Sequence, residues 1–131
     1  MKNLPFILFT ILLLISCNSD SSDSEITLIG DWKLVEVLAD PGDGSGTFLP
    51  VESNKRITFG TNGILTSNGN LCDMSITTDA PTVGMYSSSE FTFTSFDCEN
   101  AGYSYAFEQT DNILIITYLC FEPCKAKYIK L

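Results

Sequence analysis

The sequence predicts an all-β fold, a small up-and-down antiparallel barrel of eight strands. Three observations predict it. From Ile26 onward apolar residues recur with period two, and no long stretch carries the period of an amphipathic helix. The apolar runs are short and are separated by Gly, Asn, Asp and Pro. There are eight such runs, joined mostly by tight turns, as in a sheet that closes on itself and leaves no unpaired edge. A two-sheet sandwich is the alternative, but it usually needs longer crossovers, and only two long loops are present.

The first strand covers Trp32 to Leu38, with Trp32, Leu34 and Leu38 on one face. Residues 39–54 form a long loop. Lys55 to Phe59 is the second strand, in which Ile57 and Phe59 alternate with polar residues. Gly60-Thr61-Asn62-Gly63 is a hairpin turn, because Asn-Gly tolerates positive φ. Ile64 to Ser67 is the third strand, and residues 69–80 are irregular. Thr82 to Ser87 and Glu90 to Ser95 follow, the latter with Phe91 and Phe93 on one face. Tyr103, Tyr105 and Phe107 alternate along the sixth strand. Thr110-Asp111-Asn112 turns into Ile113 to Leu119, and Lys125 to Leu131 closes the set.

The N-terminus reads as an address. Lys2 and Asn3 precede an apolar run from Leu4 to Ile15, which suits a signal peptide and is too short to span about 30 Å of hydrocarbon. Leu14-Ile15-Ser16-Cys17 at its end resembles the lipobox of bacterial lipoproteins. That resemblance implies cleavage after Ser16 and lipidation of Cys17 through a thioether, with several acyl chains as the anchor. Residues 1–16 are then the signal peptide and residues 17–25 the lipidated Cys with an acidic, solvated tether. The globular domain is 26–131. Loss of Lys2 takes the formal net charge from −9 to −10. Acidic residues soon after the Cys resemble the surface-export signal of some Gram-negative lipoproteins. The expected location is the cell envelope, at the outer membrane and exposed at the surface.

Four cysteines remain, Cys72, Cys98, Cys120 and Cys124, and in an exported domain an even number reads as two disulfides with three pairings open. Cys120 and Cys124 flank Phe121-Glu122-Pro123 between two strands, and a hairpin brings such flanks within bridging distance. Cys120–Cys124 is therefore favoured, which leaves Cys72–Cys98. A four-thiolate metal site is disfavoured by the wide spacing of Cys72 and Cys98.

Gly30-Asp31-Trp32-Lys33-Leu34 opens the first strand. This G-x-W-x-L opening, with eight strands after it, resembles the lipocalin-like lipoproteins of Gram-negative bacteria over roughly residues 26–131. The resemblance implies that Trp32 closes the base of the barrel and that a basic residue of the last strand packs over it. Here that strand offers Lys125, Lys127 and Lys130 but no Arg. It also implies a mouth covered by the first long loop, residues 39–54, with Phe48 and Leu49 as apolar lid contacts. Tyr86, Tyr103 and Tyr105 are candidates to present hydroxyls to a ligand inside. An eight-stranded interior is just wide enough to be filled by side chains or to hold one small ligand. The chain is shorter than a typical lipocalin, and its aromatic residues suffice to fill the space.

Several chemistries are excluded or starved. The chain has no His, so imidazole triads and imidazole metal ligands are absent. No G-x-S-x-G elbow or S-x-x-K occurs, the carboxylates are scattered, and no enzyme activity is expected. A net charge of −9 argues against nucleic acid, which needs a basic face. The loop Asp40-Pro41-Gly42-Asp43-Gly44-Ser45-Gly46 holds carboxylates among glycines but lacks the order of a calcium loop, and no metal or cofactor is expected. Two roles remain: a lipid-anchored barrel that carries a small apolar molecule, or a packed barrel that works through its surface on another envelope protein.

Overall fold

A computed structural model describes residues 27–131. The expected signal peptide, Cys17 and the expected tether lie outside the described residues. Nine antiparallel strands form one sheet: β1 (Gly30–Ala39), β2 (Leu49–Pro50), β3 (Arg56–Phe59), β4 (Ile64–Ser67), β5 (Thr82–Ser87), β6 (Thr92–Thr94), β7 (Tyr105–Thr110), β8 (Ile113–Thr117) and β9 (Cys124–Lys130). Strands β3 to β9 follow one another in space as in sequence, and β1 pairs with both β3 and β9. Eight strands thus close an up-and-down barrel, and the sandwich alternative is set aside. The ninth strand, β2, pairs in the sheet with the same edge of β1 as β3 and continues that edge towards the loop end.

The period-two pattern decides what lies inside. Trp32 and Leu34 from β1, Ile57 and Phe59 from β3, Leu65 from β4, Phe93 from β6, Tyr105 and Phe107 from β7, Leu114 and Ile116 from β8, and Ala126 and Tyr128 from β9 are all buried. Their strand neighbours face solvent. Asn62-Gly63 makes the predicted hairpin, with Gly63 at φ 79°, a conformation that favours glycine.

Three strand readings change. Leu38 does not share the face of Trp32 and Leu34. The pairing of β1 with β9 slips between Leu34 and Glu36, and the extra residue, Val35, turns the rest of the strand over. Val37 packs against the core instead. Phe91 lies before β6, in a turn at φ 54°, and reaches Phe107 ring to ring at 5.9 Å. Tyr103 also precedes its strand, where it is edge-on to Tyr105 at 4.8 Å.

The barrel has two unlike ends. The base carries the start of β1, the end of β9 and the short turns β3–β4, β5–β6 and β7–β8. The other end carries every long connection: residues 40–55, 68–81, 95–104 and 118–123. Both disulfides are there. Cys72–Cys98 joins the β4–β5 loop to the β6–β7 loop, and Cys120–Cys124 closes the β8–β9 turn.

Candidate functional site

At the base, Trp32 is completely buried and its indole N–H donates to the Leu28 carbonyl at 2.8 Å. Lys130, from the last strand, lies over the ring at 4.7 Å. Its ammonium donates to the Thr27 carbonyl at 2.9 Å and to the Leu28 and Ile29 carbonyls. The ring face, these carbonyls and the nearby Asp31 carboxylate all favour the cation there. Leu28 completes the closure by packing on the core.

The interior is filled with rings. Phe59 meets Tyr86 edge-on at 4.9 Å and Phe107 at 5.4 Å. Phe93 stacks on Tyr105 at 5.0 Å, and Tyr105 meets Tyr118 at 6.2 Å. The Tyr118 and Tyr128 hydroxyls face each other at 3.5 Å. Burial pushes the Tyr118 phenol well up and that of Tyr128 up to about 12.

The loop end is plugged by residues 68–81. Leu71 is fully buried, and Cys72 and Met74 pack on the core. The loop is pinned by polar contacts beneath it. Leu71 N–H donates to the Thr82 hydroxyl at 2.9 Å, and that hydroxyl donates to the Gly69 carbonyl at 2.9 Å. Lys55 is inside as well: its side chain is fully buried, and its ammonium donates to the Ser75 carbonyl at 2.7 Å and the Asp73 carbonyl at 3.4 Å. Burial pushes Lys55 down to about 8, against the opposing pull of the Asp73 carboxylate. A Cβ on Gly69 would stand 2.3 Å from the Thr77 carbonyl oxygen, so glycine is required there. The sequence does carry a signal for Lys55, since it shares the parity of Ile57 and Phe59.

The sequence matches the lipocalin-like domain family over residues 28–116. The chain belongs to that family. No curated protein and no solved structure matches it.

Within this lipocalin-like barrel the expected site residues part company. Trp32 closes the base, with Lys130 as its basic partner. Tyr86 is at the base too, and its hydroxyl donates to the Gly60 carbonyl at 2.5 Å. Tyr103 and Tyr105 are at the loop end, where Tyr105 lines a recess of about 300 Å³ beside Cys72–Cys98.

The end expected to open under residues 39–54 is closed by residues 68–81 instead. Leu49 pairs with Val37 and Pro50 with Glu36, so the loop runs back in the barrel wall along the edge of β1. Phe48 lies under the Lys127 ammonium at 4.3 Å, and Lys127 pairs with Glu36. Lys127 alternates with buried Ala126 and Tyr128 and therefore points outward, which places Phe48 on the outer wall. Leu49 is 63% exposed. Phe48 is therefore not a lid contact, whereas Leu49, opposite Val37, lies on the side of the sheet that Val37 turns to the core. Earlier in the loop, the Asp40 carboxylate accepts N–H groups from Gly46, Gly42 and Gly44 at 2.8, 2.7 and 3.0 Å, which hold it below the usual carboxylate range. That acid organises its own loop. Among the described residues no group of three or more acids or cysteines could hold a metal ion.

Proposed function

We propose that this chain is a lipid-anchored envelope protein whose packed lipocalin-like barrel acts through its surface on another envelope protein, without a small-molecule cargo. The observation that carries this reading is the filled interior. The space that would hold an apolar ligand is taken by Phe59, Phe93, Tyr105, Phe107, Leu114 and Tyr128, with Trp32 and Leu71 closing the two ends. Close-packed interiors have no room for a ligand without displacing side chains. The lack of His and of nucleophile motifs, with scattered carboxylates, supports a non-catalytic role, and the charge of −9 supports a protein partner over nucleic acid.

Anchoring at Cys17 and a surface-exposed place on the outer membrane are part of the same proposal. They are supported by the lipobox resemblance and the acidic tether. The deciding measurement is native mass spectrometry of residues 18–131, which lack Cys17, exported to a bacterial periplasm and isolated without denaturation. The expected mass is that of the bare protein less about 4 Da for two disulfides. A reproducible extra mass released by organic solvent sinks the proposal in favour of a carried ligand. Metabolic labelling with palmitate tests the anchor: the label is expected on the chain and absent from Cys17→Ser, and an unlabelled chain refutes anchoring.

A further inference from the structure

The outer face of β4, β5 and β6 carries an apolar surface that the barrel does not use. Strand alternation turns Val83 and Met85 outward, and they are 54% and 58% exposed. Ile64 pairs directly with Met85, and Thr94 flanks Met85 on the other side. Phe96, just beyond β6, is 84% exposed. With Asp97 these side chains line an open groove of about 330 Å³. Exposed apolar groups that cluster along a groove, rather than scatter singly, mark contact surfaces.

The groove ends in negative charge. Asp97 is held there because one of its carboxylate oxygens accepts the Val83 N–H at 2.8 Å. The same residue lines the neighbouring recess, with Asp73, Glu99 and Asn70 around the Cys72–Cys98 bridge. Asp97 and Glu99 make no ion pair among the described residues. An apolar floor therefore leads into an acidic pocket, with Asp97 at the junction and a disulfide fixing the two loops that form it.

The geometry points to a docking groove for a segment of a partner protein that presents apolar side chains followed by Lys or Arg. Charge selects this occupant. A second copy of the chain would bring another net charge of −9 against the same carboxylates. An anionic lipid surface meets the same repulsion. A basic side chain is attracted to the pocket and, set beside an apolar anchor, adds specificity and on-rate. The inference rests on the proposal that the barrel works through its surface, and it names the partner's chemistry.

The test uses the full chain, reconstituted in nanodiscs, and a random library of peptides of about twelve residues, with counter-selection on empty nanodiscs. Enriched peptides are expected to place apolar residues within a few positions of Lys or Arg. Binding of an enriched peptide should fall about tenfold or more in Val83→Asp or Met85→Asp. In Glu99→Gln and Asp97→Asn it should fall several-fold and lose salt dependence. Phe121→Ala, at the distant β8–β9 turn, should bind as the parent does. The two acid-to-amide variants are surface changes, so they remain informative where an Asp on the strand impairs folding. The inference is overturned by no enrichment, by acidic or uncharged winners, or by binding that ignores these variants. Such a failure, with a bare native mass, leaves the packed-barrel proposal standing; an extra native mass removes that proposal itself.

Discussion

Lys130 and Lys55 sit at opposite ends of the barrel, Lys130 only partly buried and Lys55 fully buried. Both are met by backbone carbonyls: those of Thr27, Leu28 and Ile29 for Lys130, and those of Asp73 and Ser75 for Lys55. A carbonyl offers a fixed partial negative charge without the desolvation cost of a carboxylate. Lys130 also has the Trp32 face beneath it. Lys130→Met keeps most of the side-chain length and removes the donor and the cation. It should cost about 1–3 kcal/mol in urea unfolding, the sum of a cation–π contact and hydrogen bonds left without a donor. Trp32 is the only tryptophan, so its near-ultraviolet circular dichroism reports the same site and should weaken in the variant. Full retention of both stability and that signal would show that Lys130 does not hold the base.

Among the elements, the β4–β5 loop matters most, because it closes the end that the other long loops leave open. Its attachment is partly covalent. Cys72–Cys98 spans 26 residues of chain and Cys120–Cys124 spans 4. Loop-closure entropy grows with span, so the first bridge should contribute roughly 3 kcal/mol and the second about 2. The double variant Cys72→Ala/Cys98→Ala should therefore lose more stability in urea than Cys120→Ala/Cys124→Ala, and its hydrogen exchange should rise first at the Leu71 amide. Equal losses, or a Leu71 amide that stays protected, would mean that Thr82 and Lys55 hold the plug without the bridge. The strands themselves were legible wherever local pattern decides them: Ile64–Ser67 and Thr82–Ser87 match their predicted limits, and the Asn-Gly turn lies between β3 and β4. Leu38 was misplaced because a bulge is a property of two paired strands, and nothing local to Val35 announces it. Phe48 was misplaced because an apolar residue in a glycine-rich loop serves a lid or an outer wall equally well; the ring contact with Lys127 decides it. Leu71 and Met74 were hidden in irregular sequence, where no period marks burial.

For the whole molecule, the buried Lys55 and the buried phenols set how stability changes with pH, and they oppose one another. Lys55 titrates near 8 in the fold against 10.5 ordinarily. Below pH 8 folded and unfolded chains both hold its proton, and the full cost of the buried charge is present. Between pH 8 and 10.5 the fold has released a proton that the unfolded chain still keeps. The unfolded state then binds more protons, and stability rises with pH, by at most about 3 kcal/mol for a shift of that size. Burial lowers Lys130 as well, which adds in the same direction. Tyr118 and Tyr128 act the other way: their folded values are raised, so above pH 10 the unfolded chain ionises first and stability falls. On the acid side, hydrogen bonds lower Asp40, Asp43 and Asp79, so their contribution is present above the ordinary carboxylate range and lost as pH falls through their folded values. The melting temperature should therefore climb from pH 8, peak between about pH 9 and 10, and drop beyond. In Lys55→Met most of the climb should vanish while the alkaline drop stays. A parent profile that is flat or falling from pH 8 to 10, or a climb untouched in Lys55→Met, would show that the Lys55 ammonium is not the charge buried beneath the plug.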